Sequence, residues 1–237
     1  MSLAGRVSII TGAGRGIGLA AAKLFVAQGG RVFLSDLDLT EARSAFQGNS
    51  SVGFLEADVT KEDQVSAMAK AALEQFGQVD AAVMNAGILA PIVPWLETSD
   101  IDKMNEVNIK GSWLTAKHAV KAMLDSPSKG EGGSLVGAPG MSGYCGSKWA
   151  VRGLSLSAAQ EFAPYGIRSN CVQPGATATE MFESFPDERK AAVKDSIPFK
   201  RVADPNEIAE VMLFLVSDKS SYMNGSSLAV HGGKTPT

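Results

Sequence analysis

Short apolar runs that end in a polar residue alternate along the chain with longer stretches whose apolar positions recur at helical spacing. RVSIIT (6–11), RVFLSD (31–36), SVGFLEAD (51–58), VDAAVMN (79–85), IRSNCVQPG (167–175) and SSLAVHGG (226–233) read as buried strands. Near-continuous apolar runs of this kind suit a parallel sheet covered on both faces. Helix starts are legible between them. Thr60 with Asp63 approximates a capping box, and Asp204-Pro205-Asn206-Glu207 combines an N-cap, a proline at the first helical position and a carboxylate at the third. The alternation predicts a doubly wound α/β fold, mostly parallel, with helices on both faces. There are no repeats, and the only linker-like stretch, DSPSKGEGG (125–133), reads as a loop, so one domain is expected over 1–237.

Composition narrows the function without naming it. A chain of 237 residues, 45% hydrophobic, is long enough for one large core. A net charge of −3 with a pI near 5.5 supplies neither a nucleic-acid footprint nor a polybasic membrane patch. No apolar run is long enough to span a bilayer, and the start MSLAGRVSII lacks the pattern of a secretory signal. Two cysteines, Cys145 and Cys171, are too few for a disulfide scaffold. A reduced, cytoplasmic protein is expected, with no metal site.

Chemistry collects where strands end. TGAGRGIG (11–18) follows the first strand and opens a helix. It departs from G-x-G-x-x-G, because Ile17 and Leu19 stand where a third glycine would be needed. The physics carries over: glycines let the backbone turn sharply against a pyrophosphate, and a helix N-terminus offers unpaired N–H groups and a positive dipole end. A Rossmann-type dinucleotide site follows. Asp36 ends the second strand, eighteen residues beyond Gly18, where a carboxylate can bond both ribose hydroxyls of an adenosine. It would also repel a 2′-phosphate, by roughly 4 kcal/mol for two unit charges about 4 Å apart at an effective dielectric of 20. Arg15 would offset part of that, so NAD is favoured and NADP stays open. Asp58 ends the third strand as a candidate adenine contact. Tyr144 and Lys148, four apart, share one face of a helix and read as an acid–base pair.

Together these residues resemble the short-chain dehydrogenase/reductase family. The matching motifs are T-G-x-x-x-G-x-G at 11–18, Asn85-Ala86-Gly87, Asn108 in NIKG, Tyr144-x-x-x-Lys148 and PGATAT from Pro174, covering the chain from Gly5 to Gly233. The resemblance implies hydride transfer between a nicotinamide cofactor and a carbonyl or secondary alcohol. Tyr144 would be the general acid in reduction and the base in oxidation. Lys148 would bond the nicotinamide ribose and hold positive charge near the phenol, and Asn108 would hold a water linking Lys148 to solvent. Asn85 and Gly87 would line the adenosine side, and Thr179 would bond the nicotinamide end. The full cofactor set expected is Gly12, Arg15, Gly16, Ile17, Gly18, Asp36, Asp58, Val59, Asn85, Ala86, Gly87, Tyr144, Lys148, Pro174, Gly175, Thr177 and Thr179. The chemistry is demanding: bringing a phenol from a pKa of about 10 to near 7 takes about 4 kcal/mol of preferential phenolate stabilisation. An adjacent ammonium and an oxidised nicotinamide ring can supply it.

One departure stands out. In the family a serine ends the strand after the loop at 125–133, roughly a dozen residues before the tyrosine, and bonds the substrate oxygen. Here the stretch is GGSLVGAPG, and Ser134 lies ten residues before Tyr144 and reads as entering a strand. A buried strand usually needs about five or six residues. Three explanations compete: residues omitted from the sequence with numbering run across the gap, a true deletion of the strand and its serine, or a strand rebuilt from unexpected residues. Omission is favoured, because losing a central strand would leave backbone groups unpaired in the core. It predicts a chain break between Ser134 and Val136, with adjacent Cα atoms farther apart than about 3.8 Å. If the serine is truly absent, a cofactor-binding sensor or interaction protein without catalysis is the alternative.

ILAPIVPWL (88–96) and EMFESFPDERKAAVKDSIPF (180–199), with Met181, Phe182 and Phe185, read as apolar walls of a substrate pocket, the second as a lid. The helix from Ser142 to Ala163 is small and apolar nearly all round, so one side can face the sheet and another a partner chain. The resemblance implies a homodimer or homotetramer.

Overall fold

The computed structural model of the chain describes residues 1–89, 102–137 and 142–234. Its strands are β1 (Val7–Thr11), β2 (Arg31–Asp36), β3 (Val52–Glu56), β4 (Ala81–Met84), β5 (Ser134–Gly137), β6 (Arg168–Pro174) and β7 (Ser227–Val230). They form one seven-stranded sheet in the order β3-β2-β1-β4-β5-β6-β7, and every neighbouring pair is parallel. The expected doubly wound α/β fold is the one observed.

Both faces of the sheet are covered, which is why apolar residues dominate β1, β2 and β4. Ile10, Val32, Leu34, Ala81 and Val83 pack under α1 (Gly16–Ala27) and α9 (Pro205–Val216), where Phe25, Ile208 and Met212 complete the core. Their neighbours in sequence, Ile9, Phe33, Ala82 and Met84, point the other way. They meet Met68 and Ala72 of α3 (Glu62–Phe76) and Leu114 and Met123 of α5 (Gly111–Asp125). The remaining helices are α2 (Thr40–Ala45), α4 (Asp102–Met104), α6 (Ser142–Glu161), α7 (Glu180–Glu183) and α8 (Asp187–Ser196). Helix α4 runs without a break through a π turn, Asn105–Lys110, into α5. No helix among the described residues is long and apolar enough to cross a membrane.

The short stretch before the Tyr144 helix is placed in the sheet. Residues Ser134–Gly137 form β5 as an unbroken strand, registered residue for residue against Ala81–Met84 of β4 and Arg168–Cys171 of β6. Four residues match β4, which is itself four long, in full, and pair Arg168–Cys171 of the seven-residue β6 on the other side. Residues 138–141, outside the described residues, lie between β5 and α6.

The two predicted caps divide. Asp204 caps α9 by accepting from the Asn206 N–H at 2.8 Å, while the Glu207 carboxylate accepts from the Asp204 N–H at 2.8 Å. The Arg201 guanidinium and that N–H hold the Glu207 carboxyl down to about 2. Thr60, by contrast, does not cap α3: the N-cap is Lys61, with no side-chain bond. The Thr60 N–H is taken by the Asp58 carboxylate at 2.9 Å in a turn that delays the helix start.

Candidate active site

The glycine loop between β1 and α1 is shaped by close approaches that exclude side chains. Gly12 and Gly16 have φ of +64° and +58°, in the left-handed region. A Cβ on Gly14 would lie 2.0 Å from the Asp38 carbonyl oxygen, and one on Gly18 would lie 2.1 Å from the Gly12 carbonyl oxygen. At the helix start Arg15 is extended, and its side chain makes no capping hydrogen bond to the first turn of α1. That uncapped turn, with backbone that can be approached closely, fits a pyrophosphate.

Asp36 sits beside the loop. Its Oδ2 accepts from the Gly14 N–H at 2.8 Å and its Oδ1 from the Leu37 N–H at 2.7 Å, which fixes the carboxylate while leaving each oxygen a further lone pair. Hydrogen bonds from Thr40 hold the nearby Asp38 carboxyl below its usual range, and Arg15 adds to the effect. Arg15 itself turns away: its Nη1 donates to Glu180 Oε2 at 2.5 Å, joining the loop to the start of α7. On the same side Thr179 Cγ2 lies 3.4 Å from where a Gly16 Cβ would stand, and the Thr179 hydroxyl donates to the Thr177 carbonyl at 3.4 Å. Thr177 is buried and donates to the Gly175 carbonyl at 3.0 Å, so it holds the turn after Pro174.

The segment after β4 locks onto the loop from the opposite strand. Asn85 Nδ2 donates to the Thr11 and Gly12 carbonyls at 3.1 and 2.9 Å, and the Ala86 N–H donates to Thr11 Oγ1 at 3.3 Å. Packing is tight enough that a Gly12 Cβ would lie 2.8 Å from Ala86 Cα. One residue past Gly87, the Ile88 N–H donates to Asn108 Oδ1 at 2.8 Å, and Asn108 Nδ2 donates back to the Ile88 carbonyl at 3.0 Å. The same Nδ2 donates to Ser147 Oγ at 3.2 Å. Asn108 is fully buried inside the π turn, so its side chain ties together the loop after β4 and helix α6, next to Lys148.

Tyr144 and Lys148 lie on α6, where helical spacing places both on the stripe that carries the buried residues Ser147, Val151 and Ser155. Their side chains lie outside the described part of the structure, as does the 90–96 portion of the first apolar wall. Of the second wall, Phe182 is buried and meets Phe185 edge-on at 6.0 Å, while Met181 and Phe199 are exposed. Two expected contacts sit further out. Asp58 is engaged with Thr60, and burial that would raise its carboxyl is outweighed by those hydrogen bonds and by Lys61 and Lys110. The Val59 side chain is buried, and its Cγ2 lies 2.6 Å from where a Gly111 Cβ would stand, which leaves only its backbone for a ligand. Ile17, in the first turn of α1, packs against the edge of the core.

The Ser134 hydroxyl is not at this site. It is fully buried at the amino end of β5 and donates to the Leu215 carbonyl of α9 at 3.0 Å. The carboxyl end of the strand, facing the site, is Gly137, which has no hydroxyl. Sequence reading passed over Glu180, Asp38 and Ser147. Glu180 meets Arg15 from 165 positions away, a pairing no local spacing announces.

In open α/β sheets, ligands bind beyond the strand ends where the strand order reverses, and here that lies between β1 and β4, at the glycine loop. Fold and loop therefore define a dinucleotide-binding protein. A family model described as enoyl-(acyl carrier protein) reductase matches residues 12–235. The chain is 34% identical to trans-4-hydroxycyclohexanecarboxylate dehydrogenase of Sinomonas cyclohexanicum, over 98% of this chain and 94% of that one. It is 32% identical to (+)-borneol dehydrogenase 2 of Salvia officinalis, over 100% of this chain and 92% of that one. The crystal structure of 3-ketoacyl-(acyl-carrier-protein) reductase from Brucella melitensis complexed with NADH superposes with a TM-score of 0.91 at 30% identity, covering 99% and 100% of the two chains. The chain belongs to the short-chain dehydrogenase/reductase family and is an NAD(P)-dependent oxidoreductase.

Proposed function

We propose that the protein is an NAD(H)-dependent dehydrogenase that interconverts a secondary alcohol and its ketone on an apolar, ring-bearing skeleton. The carrying observation is Asp36: its carboxylate, fixed by the Gly14 N–H at 2.8 Å, borders the glycine loop where an adenosine ribose would lie. It can bond two ribose hydroxyls and repels a 2′-phosphate by roughly 4 kcal/mol at about 4 Å and an effective dielectric of 20. Gly12, Gly16 and Gly18 would cradle the pyrophosphate, with Asn85, Ala86 and Gly87 beside them and Gly175 and Thr179 toward the nicotinamide. When bound, the nicotinamide supplies or accepts hydride at its C4.

The chain's own residues handle the proton. Tyr144 gives it to the carbonyl oxygen in reduction and takes it from the hydroxyl in oxidation. Lys148, one turn along α6, holds positive charge beside the phenol and stabilises its phenolate. Asn108 is a positioning residue, because its amide is already committed to Ile88 and Ser147. With Gly137 at the end of β5, no strand-end hydroxyl assists, so Tyr144 alone of these residues bonds the reacting oxygen. The ring-bearing alcohols named for two relatives and the apolar Phe182–Phe185 pair near the mouth support the substrate class. Paired assays with NAD+ and NADP+ on borneol, cyclohexanol and 4-hydroxycyclohexanecarboxylate test it. The expected result is kcat/KM at least about tenfold higher with NAD+, with borneol among the better substrates. A preference for NADP+, or for small charged substrates over bulky apolar ones, would overturn it.

The same reading includes self-association through α5 and α6. Trp113, Trp149 and Leu156 are exposed there, and a Gly153 Cβ would meet nothing within 4 Å. Large apolar side chains gathered on one outer face mark an interface. A dimer or tetramer is expected by light scattering at micromolar concentration, and a monomeric mass would contradict it.

A further inference from the structure

Arg15 is the one basic residue of the glycine loop, and its two neighbours mark opposite sides of it. The Gly14 N–H bonds Asp36 on the ribose side, while Gly16 abuts Thr179 on the side of α7. Arg15 turns to the second side, where its guanidinium pairs with Glu180. Asp38 stands on the first side: its backbone carbonyl touches the loop at Gly14, and its carboxylate is within electrostatic range of Arg15. One cation is thus set against three carboxylates, Asp36, Asp38 and Glu180. A 2′-phosphate arriving on the ribose side would meet two of them, and the guanidinium that could receive it is held by the third.

Resting on the NAD reading above, we infer that Glu180 is a cofactor-specificity residue, which keeps the enzyme from accepting a 2′-phosphate by engaging Arg15. It acts through a cation that would otherwise be a bidentate partner for a phosphate. Both side chains are about two-thirds exposed, at 68% and 65%, so Arg15 is free to turn to another anion when Glu180 is replaced by a neutral residue. A corollary concerns Asp36. Removing its charge alone leaves Arg15 still occupied, so that change converts the specificity only in part.

The test reads binding of fragments by the full chain, without turnover. Isothermal titration with 5′-AMP and with adenosine 2′,5′-bisphosphate isolates the contribution of the 2′-phosphate as a ratio of two Kd values. The wild-type chain is expected to bind the bisphosphate more weakly than 5′-AMP. In Glu180→Gln the ratio should shift toward the bisphosphate by about two- to fivefold, the span that releasing one exposed ion pair allows. Glu180→Ala should reproduce it, and Arg15→Ala added to Glu180→Gln should abolish the gain. An unchanged ratio in Glu180→Gln, or a gain that survives loss of Arg15, would overturn the role of Glu180 and leave the NAD reading intact. A wild-type chain that prefers the bisphosphate would instead sink the NAD reading, and this inference with it. Unchanged thermal unfolding of the variants confirms that the ratio reports the site.

Discussion

Tyr144→Phe is expected to lower kcat by on the order of 10²–10⁴-fold, the span general acid–base catalysis supplies, while NADH binds as before. The phenol oxygen is the only atom removed, so the helix and the loop that hold the dinucleotide keep their packing. The loss should fall toward the upper end of that span. Gly137 at the end of β5 carries no hydroxyl, and Ser134 is committed to Leu215 at the far end of the strand. No second donor of that strand then remains to bond the substrate oxygen. Single-turnover kinetics with a saturating alcohol, beside a fluorescence titration of NADH, separates the two quantities. A kcat within about threefold of wild type, with the fold intact, would remove Tyr144 from the chemistry.

Gly18→Ala is expected to weaken NADH binding by at least about 100-fold, or roughly 2.7 kcal/mol. The added Cβ would lie 2.1 Å from the Gly12 carbonyl oxygen, which is backbone, and 2.7 Å from Asn85 Nδ2, which the Thr11 and Gly12 carbonyls hold in place. The Gly12 carbonyl must move, and with it the bond it accepts from Asn85 at 2.9 Å. The glycine loop and the segment after β4 therefore shift together. Overpacking of this kind costs about 1–3 kcal/mol, which for a chain of this size lowers Tm by roughly 2–12 °C. Differential scanning calorimetry and the same NADH titration check both arms. Tight binding by the variant would mean that the loop tolerates a second conformation.

Much of this was legible before any coordinates. The strands could be read because each is buried on both faces, which leaves a run of apolar residues with few polar interruptions. Their ends were overdrawn where neighbours stop. β3 closes at Glu56 because its partner β2 ends at Asp36, and β7 closes at Val230 because Gly232 and Gly233 turn left-handed to pack on Ile197 and Pro198. The fifth strand was the hardest to read, because it is four residues long beside a strand of the same length, and so short an apolar run carries little signal. Thr60 was misread as a cap because sequence does not reveal that Asp58 already occupies its N–H. At the site, the glycine loop, Asp36, Asn85 and Asn108 announced themselves through residue type and place. What Asn108 grips did not, since Ile88 and Ser147 come from separate segments. The meeting of Arg15 and Glu180 was hidden for the same reason: it depends on where the sheet brings β1 and β6.

The π turn at Asn105–Lys110 carries a consequence for how this helix can change over evolutionary time. It adds slack to a helix otherwise continuous from Asp102 to Asp125, and that slack brings the Asn108 amide opposite Ile88 while Leu114 and Met123 stay seated in the core. Losing one residue there would restore ordinary winding and rotate one half of the rod against the other. Either the asparagine or the core-facing leucine would then point the wrong way, so insertions and deletions should be tolerated on the rim of this protein and refused within those six positions.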